Sequence, residues 1–402
     1  MSLSVRRVEG PGLVAVRAWV PGGGRTEAVP GQALVTGRTL SEGTRRRDWR
    51  RIADEAEALG ASVSSSASFE ALGVTIDARA AHWEPALEWA AELLGEPVFP
   101  EDRCRWISRQ TAAELESLAD EPDVRTAWAF LEQLYSPHPR GRPLQGSAES
   151  LASLGPADCR AFHRRSVAGG VCLSVAGAVE EAHVAERARE LFAFVGEAEP
   201  AAEAPPVPEP IGLPEPRRRV DLPPGDQSHL YAGCLTVPRA HEDRHALELL
   251  GVILGAGAGL TGRLPERVRE REGLAYSVQV QTLAGAGLDP GRLVVYVGTA
   301  PATVEPAERA VAEELSRVVE EGVSAREVEE ARGYLLGREP FRRETARQWA
   351  ELLSEATLYG TPEDDPDWRR ERLEAAGREA VTEAARRHLR PEALRVTVGM
   401  PR

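Results

Sequence analysis

Two kinds of hydrophobic pattern run along the chain. Short apolar or alternating stretches at 13–20, 72–78, 171–176, 293–297 and 394–398 predict strands, because a strand turns successive side chains to opposite faces. Apolar residues recurring every three or four positions predict helices over 83–94, 103–119, 243–254, 303–320 and 325–337. The strands and helices are grouped without strict alternation. That favours an α+β fold, sheets flanked by helices, over a doubly wound sheet.

The pattern occurs twice. LGVTIDARAAHWEPALEWAAELL in the first half and LVVYVGTAPATVEPAERAVAEEL in the second each read as strand, turn and helix. Both helices open at Glu-Pro (Glu84-Pro85, Glu305-Pro306), where the N–H that proline lacks would have no partner anyway. Glu92 and Glu313 follow in the same register, and each half closes on an apolar strand running into glycine, CLSVAG and LRVTVG. An internal duplication of about 190 residues is the reading that follows. Residues 196–216 hold seven prolines and no apolar periodicity. Proline fixes φ and removes a backbone donor, so this stretch reads as a linker between an N-terminal α+β domain, 1–195, and a C-terminal one, 217–402.

Charge and composition narrow the partners. The net charge is −14, from 49 basic and 63 acidic residues, which argues against nucleic acid. The run Arg45-Arg46-Arg47 reads as a solvated face. There is no Lys and no Asn, a skew that fits a thermostable protein and equally a GC-rich genome. The four cysteines are scattered without a CxxC pair, against a thiolate zinc site or a disulfide framework, and Cys172 reads as a small core residue. Arg17 interrupts the apolar stretch after Arg6 and Arg7, so no signal peptide is expected. No apolar run approaches the ~20 residues that span a bilayer, and the cytoplasm is the expected location.

Three segments invite a chemical reading. His241-Glu242-Asp243-Arg244-His245 fits HExxH, the pattern of a self-sufficient zincin using His241 and His245. It sits at a helix entrance with no further ligand pattern, so a polar first turn is the simpler reading. Gly257 to Gly262 fits GxGxxG, but a helical stretch rather than a strand precedes it. In 261–282, Pro265 suits an early helical position, Gly273 the residue past a helix end, and LAYSVQV a strand. Arg269 and Tyr276 stand seven positions apart there. Taken alone, the arginine complements a helix dipole and the tyrosine suits a strand edge.

LGAGAGLTGRLPERVREREGLAYSV resembles the second-half signature of the pitrilysin, insulin-degrading-enzyme and mitochondrial-processing-peptidase family of zinc peptidases, in which an arginine and a tyrosine stand where Arg269 and Tyr276 do. AELESLADEP at 113–122 and PLQGSAESLASL at 143–154 resemble first-half segments of that family, so the resemblance covers nearly the whole chain. Members carry H-x-x-E-H on a helix, two histidines and a distant glutamate binding zinc and the inner glutamate acting as base. GQALVTGRTLSEGT at 31–44 occupies that place, aligned on Gly31, Gly43 and Thr44. Leu34 and Arg38 then stand at the histidine positions, Gly37 at the catalytic glutamate, and Glu114 at the third ligand. The resemblance implies a chain without zinc that pairs with a homologous zinc-bearing subunit, or with itself when alone. In such pairs the arginine and tyrosine bind a peptide substrate and support the oxyanion at the partner's zinc. A purely structural protein of the same fold is the alternative. An ion pair between Arg38 and Glu114 is also expected.

Overall fold

The computed structural model describes residues 1–196, 207, 216–257 and 261–402. The proline-rich segment read as a linker lies outside the described residues, apart from Gly196, Val207 and Pro216. The chain forms two compact units. One comprises Met1–Glu116, Pro143–Pro205 and Pro340–Asp364; the other comprises Ser117–Arg142, Pro206–Glu339 and Asp365–Arg402.

The first unit is built on strands β1 (Ser2–Arg7), β2 (Leu13–Pro21), β3 (Ser62–Ala67), β4 (Ala71–Arg79) and β5 (Cys172–Gly177), in the order β1-β5-β2-β4-β3. β1 runs parallel to β5 and the other neighbours are antiparallel. Alternation along β2 decides its two faces. Val14, Val16, Ala18 and Val20 join Leu72, Val74 and Ile76 in a core shared with the helices Trp83–Gly95 and Pro156–Ala168. Ala15 instead meets Trp349, Ala350 and Leu353 of the helix Ala346–Tyr359. Arg17 is buried beneath that helix at 2% exposure, donating to Glu351 at 2.6 Å, Asp77 at 3.0 Å and the Val16 carbonyl at 3.0 Å. The residue that interrupts the apolar run in the sequence is thus a polar anchor for a helix.

The second unit repeats the plan with β6 (Arg217–Leu222), β7 (Ser228–Leu235), β8 (Ala275–Ala284), β9 (Arg292–Thr299) and β10 (Arg395–Pro401), in the order β6-β10-β7-β9-β8. The strands correspond one to one with those of the first unit, and again only the outermost pair, β6 and β10, is parallel. Leu230, Ala232, Leu293, Val295, Val297 and Val398 face the helices Arg244–Gly251, Val304–Glu321, Ala325–Arg338 and Arg378–His388. Phe130, Leu134 and Tyr135 of the helix Pro122–Tyr135 pack on the opposite face against Tyr231 and Val294. Each sheet therefore has one face covered by a helix from the other half of the sequence.

β1, β3, β6 and β7 were not foreseen. β7, SHLYAGCL, is apolar but short and broken by Gly233. The other three, SLSVRR, SVSSSA and RRRVDL, are too polar to leave an apolar signature. The helix expected over 243–254 runs as Arg244–Gly251 and then changes to π geometry at Val252–Ala256.

Candidate functional site

The helix Gln32–Thr39 lies between β2 and β3 and carries Leu34, Gly37 and Arg38. The Glu27 carboxylate accepts from the N–H groups of Gly31 at 3.1 Å and Ala33 at 3.0 Å, satisfying donors that a helix start leaves without intrahelical partners. Leu34 is buried. Gly37 rests on the backbone of β3, where an added Cβ would meet the Ser66 carbonyl carbon and oxygen at 2.5 Å. Arg38 Nη1 donates to Glu114 Oε2 at 2.7 Å and to Thr111 Oγ1 at 3.0 Å, so the expected ion pair is present. The Arg38 hydrogen bond holds the Glu114 carboxyl below the usual carboxylate range against the opposing effect of burial, helped by Gln145, which donates at 3.3 Å.

These residues do not fit a zinc ion. A leucine side chain has no donor atom, a guanidinium has no lone pair to give and stays charged, and the one carboxylate is already held by that cation. Nor does Gly37 leave room for a general base, since a side chain there collides with β3.

The corresponding stretch of the second unit is organised around close backbone packing. Gly255, at φ 139°, and Gly262, at φ 119°, pack so tightly that a Cβ on Gly262 would lie 2.5 Å from the Gly255 Cα. This contact accounts for glycines at both positions; Ala258 to Leu260 of the GxGxxG match lie outside the described residues. A helical turn, Arg263–Pro265, leads into a second π segment, Glu266–Arg271. Arg263 is held by Glu327 through two bonds, at 2.6 and 2.9 Å. Gly273 takes the left-handed conformation at φ 60°, as its place past a helix end predicts. Arg269 lies in the π segment, with Nε donating to Glu270 at 2.8 Å. Tyr276 is the second residue of β8, an edge strand, and is 90% exposed. The π geometry, frequent at functional sites, carries no signal in residue type and was not anticipated.

The duplication extends to these segments. Glu92 binds Thr44 and Arg47, just after the first motif helix. Its counterpart Glu313 binds Arg267 in the second unit. In both units the motif helix meets the next strand through a glycine, Gly37 over Ser66 and Gly251 against Thr282.

The HExxH match does not form a zincin site. The helix begins at Arg244, which leaves His241 outside it, so His241 and His245 do not share a helical face. His245 is buried edge-on to Trp368, with ring centroids 5.1 Å apart. His241 faces His388 instead, at 5.5 Å. Among the described residues no helix is long and apolar enough to cross a membrane.

Comparison with known proteins shows what the chain is similar to. The insulinase (peptidase family M16) model matches residues 12–148, and the peptidase M16 inactive domain model matches 154–335. An uncharacterized zinc protease of Mycobacterium leprae is 28% identical, over 86% of this chain and 78% of its own length. A non-peptidase homolog, YmxG of Helicobacter pylori, is 24% identical over 78% of this chain and 72% of its own. The crystal structure of a peptidase M16 inactive domain from Pseudomonas fluorescens superposes with a TM-score of 0.89 at 24% identity, covering 100% of this chain and 95% of that one.

Proposed function

The chain belongs to the peptidase M16 family, the pitrilysin and processing-peptidase group, and on that premise we propose that it is the non-catalytic subunit of a dimeric zinc metalloendopeptidase. In this reading it pairs with a homologous zinc-bearing chain and supplies Arg269 and Tyr276 to a peptide held at the partner's zinc.

The contrast between the two motif segments carries the proposal. In the first unit the positions aligned with the family's zinc ligands and general base carry a buried leucine, a glycine packed on β3 and an ion pair. In the second, a tyrosine stands almost wholly in solvent on an edge strand, three residues past a left-handed glycine. At 90% exposure the Tyr276 phenol is open to a peptide lying along the strand edge. A guanidinium and a phenol are suited to donate to a peptide carbonyl and to the oxyanion that develops from it. An extended peptide pairing with a sheet edge would gain main-chain hydrogen bonds with little sequence preference.

The test is turnover of a peptide by the chain mixed with a zinc-bearing homologue. The isolated chain is expected to cleave nothing. Arg269→Ala and Tyr276→Phe are each expected to leave assembly intact and to lower kcat by about 10²-fold, the scale of losing one oxyanion donor. If both variants assemble and cleave at the full rate, the donor role is wrong.

A further inference from the structure

We propose that His241, Asp243 and His388 form a binding site for a divalent transition metal, zinc in the first instance, separate from the degenerate positions of the first unit. One ligand atom from each residue lies within 4.8 Å of the others. His388 Nε2 is 2.7 Å from Asp243 Oδ2, and His241 Nδ1 is 3.9 Å from the same oxygen. Nitrogen and oxygen donors around tetrahedral zinc sit about 3.3 Å apart. The two separations from Asp243 straddle that value; His241 Nδ1 now accepts from the Asp243 N–H at 3.0 Å, a bond that a metal on that nitrogen would displace.

The backbone is already held. His388 ends the helix Arg378–His388, whose Val381, Ala384 and Ala385 are buried in the core. His241 and Asp243 lie in the turn that enters the helix Arg244–Gly251, and the Asp243 carbonyl accepts from Leu247 N–H at 2.9 Å. Two imidazoles and a carboxylate are a zinc-type donor set, and three protein ligands leave a coordination position for water. The side chains are 34%, 10% and 17% exposed in sequence order, sheltered but within reach of an ion from solvent. A proton now occupies the line between His388 and Asp243, and the metal would displace it.

Arg387 is the competitor. Its Nη1 lies 2.8 Å from the same Asp243 oxygen, but the side chain is half exposed and can turn into solvent. It acts as a brake on affinity, and its removal should tighten binding. A bound ion would tie the end of one core helix to the entrance of another and stabilise the folded chain by mass action. It would also give the HExxH match a different partner: His241 works with His388, a residue far away in sequence, and His245 takes no part.

The test uses the full chain stripped of metal by a chelator, titrated with Zn²⁺ by calorimetry and with Co²⁺ by visible absorption. One equivalent is expected to bind. His241→Ala and His388→Gln are expected to weaken binding at least about tenfold, the lower end of what disturbing a metal site does. Arg387→Gln is expected to strengthen it, and Glu114→Gln to leave it unchanged. Zn²⁺ should raise the Tm of the wild-type chain and not that of His388→Gln. No stoichiometric uptake, or uptake unchanged in the His241→Ala/His388→Gln double variant, overturns the proposal. Both readouts are independent of peptidase activity.

Discussion

At position 37 a Cβ would lie 2.5 Å from the Ser66 carbonyl carbon and oxygen, well inside van der Waals contact. Alanine is favoured over glycine in a helix by about 1 kcal/mol, yet here the steric term opposes it. Overpacking of a close contact costs about 1–3 kcal/mol, so Gly37→Ala is expected to lower stability in chemical denaturation despite the better helix former. A glutamate at 37 would need the helix Gln32–Thr39 to withdraw from β3. The triple variant Leu34→His/Gly37→Glu/Arg38→His is therefore expected not to gain zinc at this helix, measured as metal retained in a His388→Gln background. Zinc gained there with the fold intact would show that the helix can move and that three substitutions alone separate this chain from a metal-binding one.

Between elements, the arginine–tyrosine segment is held from one side by Glu327, near the start of the helix Ala325–Arg338. Ser324 caps that helix, and Glu327 reaches back to the Ser324 N–H at 2.7 Å while gripping Arg263. Burial alone would raise the Glu327 carboxyl. The Arg263 guanidinium and the Ser324 donors outweigh it and bring the pKa down to about 2. A carboxylate depressed on folding stabilises the native state above its unfolded value of about 4.3, and loses that contribution as pH falls through the folded value. The Tm gap between wild type and Glu327→Gln should thus be full at neutral pH and should close between about pH 4 and pH 2. A gap of constant size across that range would mean that the charge on Glu327 contributes nothing. Two π segments flank the glycine contact in the same region, and neither was readable beforehand. Residue types in ERVRER suit a helix, and the extra residue per turn shows only in the backbone.

At the scale of the molecule, the halves of the duplication and the compact units divide the chain differently, because each sheet borrows a helix from the opposite half. A sheet needs cover on both faces or polar residues on one of them. Without 340–364, the first sheet would leave Ala15, Ala176 and the Arg17 cation uncovered on one face. Residues 117–142, for their part, would lose the sheet they pack on. A fragment of residues 1–196 is therefore expected to bind an apolar dye and to melt without a cooperative transition. A sharp, cooperative melt of that fragment would show that the borrowed helix is dispensable.

Residue types and their spacing were enough to read the α+β class, the repeat and the long helices Trp83–Gly95, Glu101–Asp120, Val304–Glu321 and Ala325–Arg338, and short motifs carried the family resemblance. All of these depend on local periodicity or on short motifs in which neighbours in sequence act together. Contacts between distant segments decided the rest: which helix covers which sheet, why Arg17 is buried, how Gly37 lies on β3, and that His241 faces His388 rather than His245. A periodic pattern shows that a face is apolar without naming its partner, and that choice is made when the whole core packs at once.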